Sequence, residues 1–389
     1  MTVTRQDIGA LAHTLDMDLG RSKAGLSVVI KDCIDIKDMV TACGSAALKD
    51  AAPATQNAVV VESVLSKNCK IIGKANMHEL AYGVTGVNAA FGTPLNPRWP
   101  DRIPGGSSSG SAVAVAAEIC DFAVGTDTGG SVRQPAICCG VYGIKPSFGR
   151  VSRKGCHPKD SSLDCVGVFA RTAQMLTQGM AAIDPTFTPT VLTTQPRLAR
   201  IKCDTDQSVG DPLIFALMEI LPDACSLELP YMEAAFDAGM TVIGVEAAAA
   251  YGPLVDANAP LGADILQRLI KARNITPEQL SAAEDMRDIF TQEVDAALST
   301  YDALITPALP MIPPTLEAAK DPAAVLPLTK FLRPFNLSGH PAIVLPITVG
   351  PDHLPAGIQI IGRKGEDAQL CAVAEWMAST LPAFQQEDI

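Results

Sequence analysis

The strongest constraint on the fold is an alternation near the start of the chain. Leu26–Ile30 (LSVVI) is a short apolar run of strand length. Ala58–Lys67 follows, with Val60, Val61, Val64 and Leu65 on one helical face. Cys69–Gly73 (CKIIG) is a second strand-like run. A strand, a one-faced helix and another buried strand form a β-α-β rhythm, which places helices over a sheet. Ser111–Cys120 then predicts a small apolar helix, and Asp121–Gly125 another strand. Residues 211–301 are mostly helical by pattern, most clearly at Ile265–Lys271 and Ala282–Leu298. Asp302–Thr306 and Ala342–Pro346 are strand-like, and Ala368–Ser379 is a closing helix. No repeat and no Gly/Ser-rich linker divides the chain. The expectation is one large α/β domain over 1–389, with a mixed, mostly parallel sheet covered by helices on both faces.

Composition removes several other classes. Of 389 residues, 48% are hydrophobic and 19% charged, which excludes a disordered chain. With 42 acidic and 30 basic residues the formal charge is −12, so no nucleic-acid partner is expected. One of the two longest stretches free of Asp, Glu, Lys and Arg, Pro334–Pro351, contains four prolines, and no membrane partner is expected. The first twenty residues carry Asp7, Asp16 and Asp18, so no signal-peptide core is expected there. Eleven cysteines, odd in number and without a C-x-x-C pair, suit reduced packing residues in a cytoplasmic protein. The adjacent Cys138 and Cys139 are read the same way rather than as redox or catalytic thiols. No metal or cofactor is called for.

The candidate chemistry lies in two glycine- and serine-rich runs, Pro104–Ser111 (PGGSSSGS) and Gly125–Arg133 (GTDTGGSVR). Small residues there let backbone N–H groups crowd around a negative centre, as in phosphate sites and oxyanion holes. The plainer alternative is a pair of tight turns. Neither run has the lysine of a P-loop or the spacing of a dinucleotide fingerprint. Gly106–Gly110 matches G-x-S-x-G, but Trp99–Pro104 before it is a poor strand, so the nucleophile-elbow reading fails. The five histidines, His13, His78, His157, His340 and His353, read as surface or loop residues. His78-Glu79 begins an H-E-x-x-H pattern that ends in Tyr82. A serine nucleophile can use lysine as its base instead. Lys31 follows Val28-Val29-Ile30 into the interior, and burial would favour its neutral amine. Asp32, on the opposite strand face, need not neutralise that effect.

These pieces, in order, resemble the amidase signature family of Ser–cis-Ser–Lys hydrolases. They are Val28–Asp38, Gly73–Gly83, Phe91–Pro97, Pro104–Ala117, Val124–Ala136, Cys139–Ser147, Ile305–Pro307, Phe335–Pro341 and Leu354–Arg363. Within the family, the two glycine-rich runs look most like short amidases acting on indole-3-acetamide. The resemblance implies an amidase signature fold with a catalytic core at about 26–180 and 300–380 and a helical peripheral segment at about 185–300. It also implies an amidohydrolase acting on linear amides through an acyl-enzyme. Ser131 would be the nucleophile, Ser107 the bridging serine on a cis peptide, and Lys31 the base. Backbone N–H groups of Thr128, Gly129, Gly130 and Ser131 would form the oxyanion hole, with Asp127 and Arg133 bracing the loop. The implied partner is a small-molecule amide, with a homodimer open. Two alternatives stand beside it: the glutaminase subunit of a tRNA-dependent amidotransferase, and a non-catalytic protein retaining the fold. Only 30 residues precede Lys31, fewer than is common in the family, which leaves the acyl group and the assembly unassigned.

Overall fold

The computed structural model describes residues 8–17, 25–217 and 226–384. Eleven strands form one sheet: β1 (Leu11–Met17), β2 (Ser27–Lys31), β3 (Lys70–Ala75), β4 (Phe122–Asp127), β5 (Tyr142–Lys145), β6 (Cys165–Ala170), β7 (Leu198–Ile201), β8 (Ser226–Leu227), β9 (Ala303–Pro307), β10 (Ala342–Val349) and β11 (Leu354–Ile361). Their order is β1-β3-β2-β4-β6-β5-β10-β11-β9-β7-β8. The helices are α1 (Val59–Ser66), α2 (Ser109–Ala116), α3 (Arg133–Cys138), α4 (Ala173–Ile183), α5 (Gln207–Leu217), α6 (Met232–Asp256), α7 (Ala263–Ala272), α8 (Pro277–Thr300), α9 (Pro322–Val325), α10 (Pro334–Leu337) and α11 (Asp367–Thr380).

The sheet is mixed, as expected, but not mostly parallel. Of its junctions, β3–β2, β2–β4, β9–β7 and β7–β8 are parallel. The other six are antiparallel. For one of the six the reason is connection length. β10 and β11 are joined by a short turn at Gly350–His353, which only an antiparallel pair permits. The 185–300 segment is not helical throughout either, because β7 and β8 extend the sheet from it.

Period-two alternation divides the strand side chains between two cores. Val28, Ile30, Phe122 and Val124 join Val60, Val61 and Val64 of α1 and Leu176 and Met180 of α4. Val29 and Ala123 face the other way, with Ala112–Val115 of α2 and Ala136–Cys138 of α3. A third cluster gathers α6, α8 and α10 against Ala199, Leu304 and Ile361 at the far end of the sheet. At 25 residues, with a mean hydropathy of 1.3 over an 18-residue stretch, α6 is long and apolar enough to cross a membrane. In this fold it packs against α7, α8 and α10. Ten described cysteines are free, all buried but the half-buried Cys203; Cys225 lies outside the described residues.

Two boundaries matter for the site. β4 continues to Asp127 because Thr126 and Asp127 pair with Val166 and Cys165 of β6. Thr126 and Asp127 are therefore strand residues, and the turn proper begins at Thr128. α2 starts at Ser109, inside the serine run, so Ser107 sits just ahead of its first turn.

Candidate active site

Lys31 ends β2 beside the carboxyl end of the parallel strand β4, the edge where α/β sheets present ligands. It is fully buried. Its Nζ lies 2.8 Å from Ser107 Oγ, 2.9 Å from Thr126 Oγ1 and 3.5 Å from Thr126 O. Burial is the largest influence on the amine and lowers its pKa from the ordinary lysine value, while the Asp164 and Asp127 charges oppose it. Cys33 is itself pushed up by burial, so its thiol is an uncharged neighbour. Asp32 faces away, as expected, and pairs with Lys74 at 3.0 Å.

The Gly106–Ser107 peptide is cis. Gly106 N–H donates to Gln134 Oε1 at 2.8 Å, and Ser108 N–H to Ser131 O at 3.3 Å, so the two serine loops are stitched together. A Cβ at Gly106 would lie 2.8 Å from Gly86 N and 3.0 Å from Gly83 O, so only glycine lets these backbones meet. Ser131 is 8% exposed. Its Oγ makes no hydrogen bond among the described residues. The expected Ser107–Ser131 link is thus open here, as catalytic contacts often are until substrate tightens them.

The turn carrying Ser131 is folded around one carboxylate. Asp127 accepts from Gly130 N–H at 2.8 Å, Val132 N–H at 3.1 Å and Arg133 N–H at 3.3 Å. Arg133 grips the same carboxylate with Nε and Nη2, at 3.0 and 2.8 Å. It also donates to Leu332 O, Gln359 Oε1 and Asn336 Oδ1. Burial alone would raise the Asp127 pKa, but Arg133 and Asn336 override it and hold the carboxyl well below its usual range. Gly130 departs from expectation. Its N–H is committed to Asp127, and its φ of +111° explains the glycine. The N–H groups of Thr128, Gly129 and Ser131 donate to no group among the described residues. Thr128 is steadied through its hydroxyl, which donates to Asp164 at 2.9 Å. Asp164 also takes Arg153 at 3.0 Å.

Lys31, Ser107, Ser131, Thr128, Gly129, Asp127 and Arg133 are therefore brought to one place. Thr126, Gln134 and Asp164 are supporting residues that sequence reasoning did not name. The segments GTDTGGSVRQPA, FNLSGHP and LPAGIQIIGR did contain Thr126, Gln134, Asn336 and Gln359, but without assigned contacts. No histidine side chain hydrogen-bonds to Lys31, Ser107 or Ser131 among the described residues, although His78 N–H donates to Ser107 O at 3.0 Å. His78 and His340 are buried rather than superficial, held by Asp264 at 3.4 Å and Asp295 at 2.9 Å respectively. Among the described residues no cluster of His, Cys, Asp and Glu could hold a metal.

A buried lysine against one serine, beside a second serine on a glycine turn, is the constellation of a serine hydrolase that works without histidine. The sequence profile described as Amidase matches residues 10–207 and 219–371, and the chain belongs to the amidase family. It is similar to a glutamyl-tRNA(Gln) amidotransferase subunit from Deinococcus radiodurans, with 34% identity over 90% of this chain and 83% of the relative. The corresponding protein of Natranaerobius thermophilus is 30% identical over 99% of this chain and 89% of its own. Among solved structures, an amidase matches with a TM-score of 0.82 and 29% identity, covering 92% of this chain and 84% of that one. A glutamyl-tRNA(Gln) amidotransferase subunit from Thermotoga maritima matches with a TM-score of 0.81 and 28% identity, over 96% of this chain and 88% of that one.

Proposed function

We propose that the chain hydrolyses the C–N bond of small, linear carboxylic amides to an acid and ammonia or an amine, through an acyl-enzyme on Ser131. The observation that carries this reading is the 2.8 Å contact between the buried Lys31 amine and Ser107. Neutral Lys31 accepts the Ser107 proton as Ser107 accepts that of Ser131. Ser131 Oγ then attacks the amide carbonyl carbon. The N–H groups of Thr128, Gly129 and Ser131 face the developing oxyanion, a contribution of roughly 3–4 kcal/mol for a donor of this kind. The proton returns along the same path to the departing nitrogen, and water cleaves the ester by the reverse sequence.

A second reading is favoured by the relatives that are amidotransferase subunits. Here the same chemistry would release ammonia for a partner protein to use. The test is ammonia release by the purified chain from a panel of primary amides that includes glutamine and indole-3-acetamide, with fluorophosphonate labelling of Ser131. Turnover of several amides with Ser131 labelled supports the first reading, and glutamine alone the second. Absence of both turnover and labelling refutes an acyl-enzyme on Ser131.

A further inference from the structure

Arg333 borders the same site and is bonded to nothing that explains it. It directly precedes α10, and its aliphatic arm crosses α6 at Gly239, where a Cβ would come within 2.8 Å of its Cγ. Its guanidinium lies over the Phe236 ring, with Cζ 4.6 Å from the centroid. Its Nε reaches the serine turn, 3.0 Å from where a Cβ on Gly129 would stand. The residue is only 9% exposed, and Nε and Nη1 are fully buried without a hydrogen-bond partner. Among the described residues the guanidinium forms no hydrogen bond or ion pair. The contrast with Arg133 is direct, since that buried guanidinium bonds to Asp127, Leu332, Gln359 and Asn336.

No acceptor meets it among the described residues. Arg268 of α7 is near enough for its charge to act on Arg333, and it donates to Tyr82 O at 3.1 Å. Tyr82 feels both arginines, and burial pushes its phenol up, so it stays neutral. Asp237 attracts Arg333 without pairing with it. Burial, with the Arg268 charge adding to it, lowers Arg333 to about 10, so it remains a cation at neutral pH.

We propose that Arg333 anchors a carboxylate carried by the substrate itself, so that the preferred substrates are short amides bearing their own carboxylate. This rests on the Ser131 acyl-enzyme reading. A buried cation with free N–H groups is strongly disfavoured unless an acceptor meets it, and a planar carboxylate matches the guanidinium fork. Because Arg333 abuts Gly129, that carboxylate lies close to the amide carbonyl held by the same turn. A short spacer therefore joins the two groups.

The test compares kcat/KM for malonamate and succinamate with kcat/KM for butyramide in the wild type, Arg333→Gln and Arg333→Lys. The wild type should prefer the carboxylated amides. In Arg333→Gln the ratio of carboxylated to neutral amide should fall roughly 100-fold, as expected for a buried charge-assisted bond. Arg333→Lys, which keeps the charge but not the fork, should lie between. An unchanged ratio in both variants, or no wild-type preference, would overturn the proposal. Calorimetry with succinate and butyrate gives a readout independent of turnover. The wild type should bind succinate more tightly, and Arg333→Gln should lose that difference. If no amide is turned over and Ser131 is not labelled, the catalytic reading fails, and this binding difference alone decides the role of Arg333. Thermal unfolding of each variant confirms that it is folded, and Arg333→Lys carries the comparison if Arg333→Gln is not.

Discussion

Thr126 holds the Lys31 amine through two groups at once, its hydroxyl at 2.9 Å and its carbonyl at 3.5 Å. A neutral amine has two N–H donors and one lone pair. Two donors spent on Thr126 leave the lone pair aimed at Ser107, 2.8 Å away. Thr126 is thus a positioning residue for the base. Thr126→Val, which keeps the shape and removes the hydroxyl, should lower kcat/KM about tenfold, the value of one ordinary hydrogen bond. Thr126→Ser should restore most of it. Steady-state kinetics with both variants decides, and a loss in Thr126→Ser with none in Thr126→Val would show that the methyl packing matters instead.

The same amine sets the pH profile. The active form is deprotonated, so kcat/KM should rise with pH through the Lys31 pKa, at a midpoint below the ordinary 10.5. Asp164 opposes the lowering by its charge. Asp164→Asn should therefore move the midpoint to lower pH, while Lys31→Met should abolish turnover at every pH. A midpoint that moves to higher pH in Asp164→Asn would contradict Lys31 as the base.

Asp127 and Arg133 are completely buried and pair bidentately under the serine turn. Removing one partner leaves an uncompensated charge. Asp127→Asn should lower unfolding stability by about 3–5 kcal/mol, measured by urea denaturation at pH 7. The sign with pH follows from the depressed carboxyl pKa. Its stabilisation is fully present above the ordinary aspartate value and is lost as pH falls toward the folded-state pKa. The wild type should therefore converge on Asp127→Asn in acid.

Much of this site was legible through the resemblance to the amidase signature family. PGGSSSGS and GTDTGGSVR carried it to Ser107, Ser131, Asp127 and Arg133, and an apolar run entering Lys31 indicated its burial. What stayed hidden has physical causes. Strand direction depends on connections made far apart in sequence, so the antiparallel majority did not show in local patterns. The commitment of Gly130 N–H to Asp127 depends on one turn's dihedral angles, which GG alone does not specify. Arg333 meets Gly129 of the serine turn and Phe236 and Gly239 of α6, so three distant segments converge. No local pattern relates the three.

His340 tests how far the interior tolerates charge. Its Nε2 faces Asp295 at 2.9 Å and its Nδ1 faces Ser338 at 3.0 Å. Asp295 is an acceptor when ionised, so a neutral ring donates from Nε2 and accepts the Ser338 hydroxyl at Nδ1. Burial first, and the Lys364 charge second, push the imidazole down to about 4. A depressed histidine pKa means that the unfolded chain takes up the proton first. The stability held above the unfolded pKa of 6.5 should then decline as pH falls from there to about 4. The loss is on the order of 3 kcal/mol. His340→Gln can occupy the site without titrating, so the difference in stability between wild type and variant should shrink across that window. Denaturant unfolding of both proteins at pH 7 and pH 4.5 measures it. A difference that stays constant with pH would mean that His340 carries no proton-linked share of the acid response.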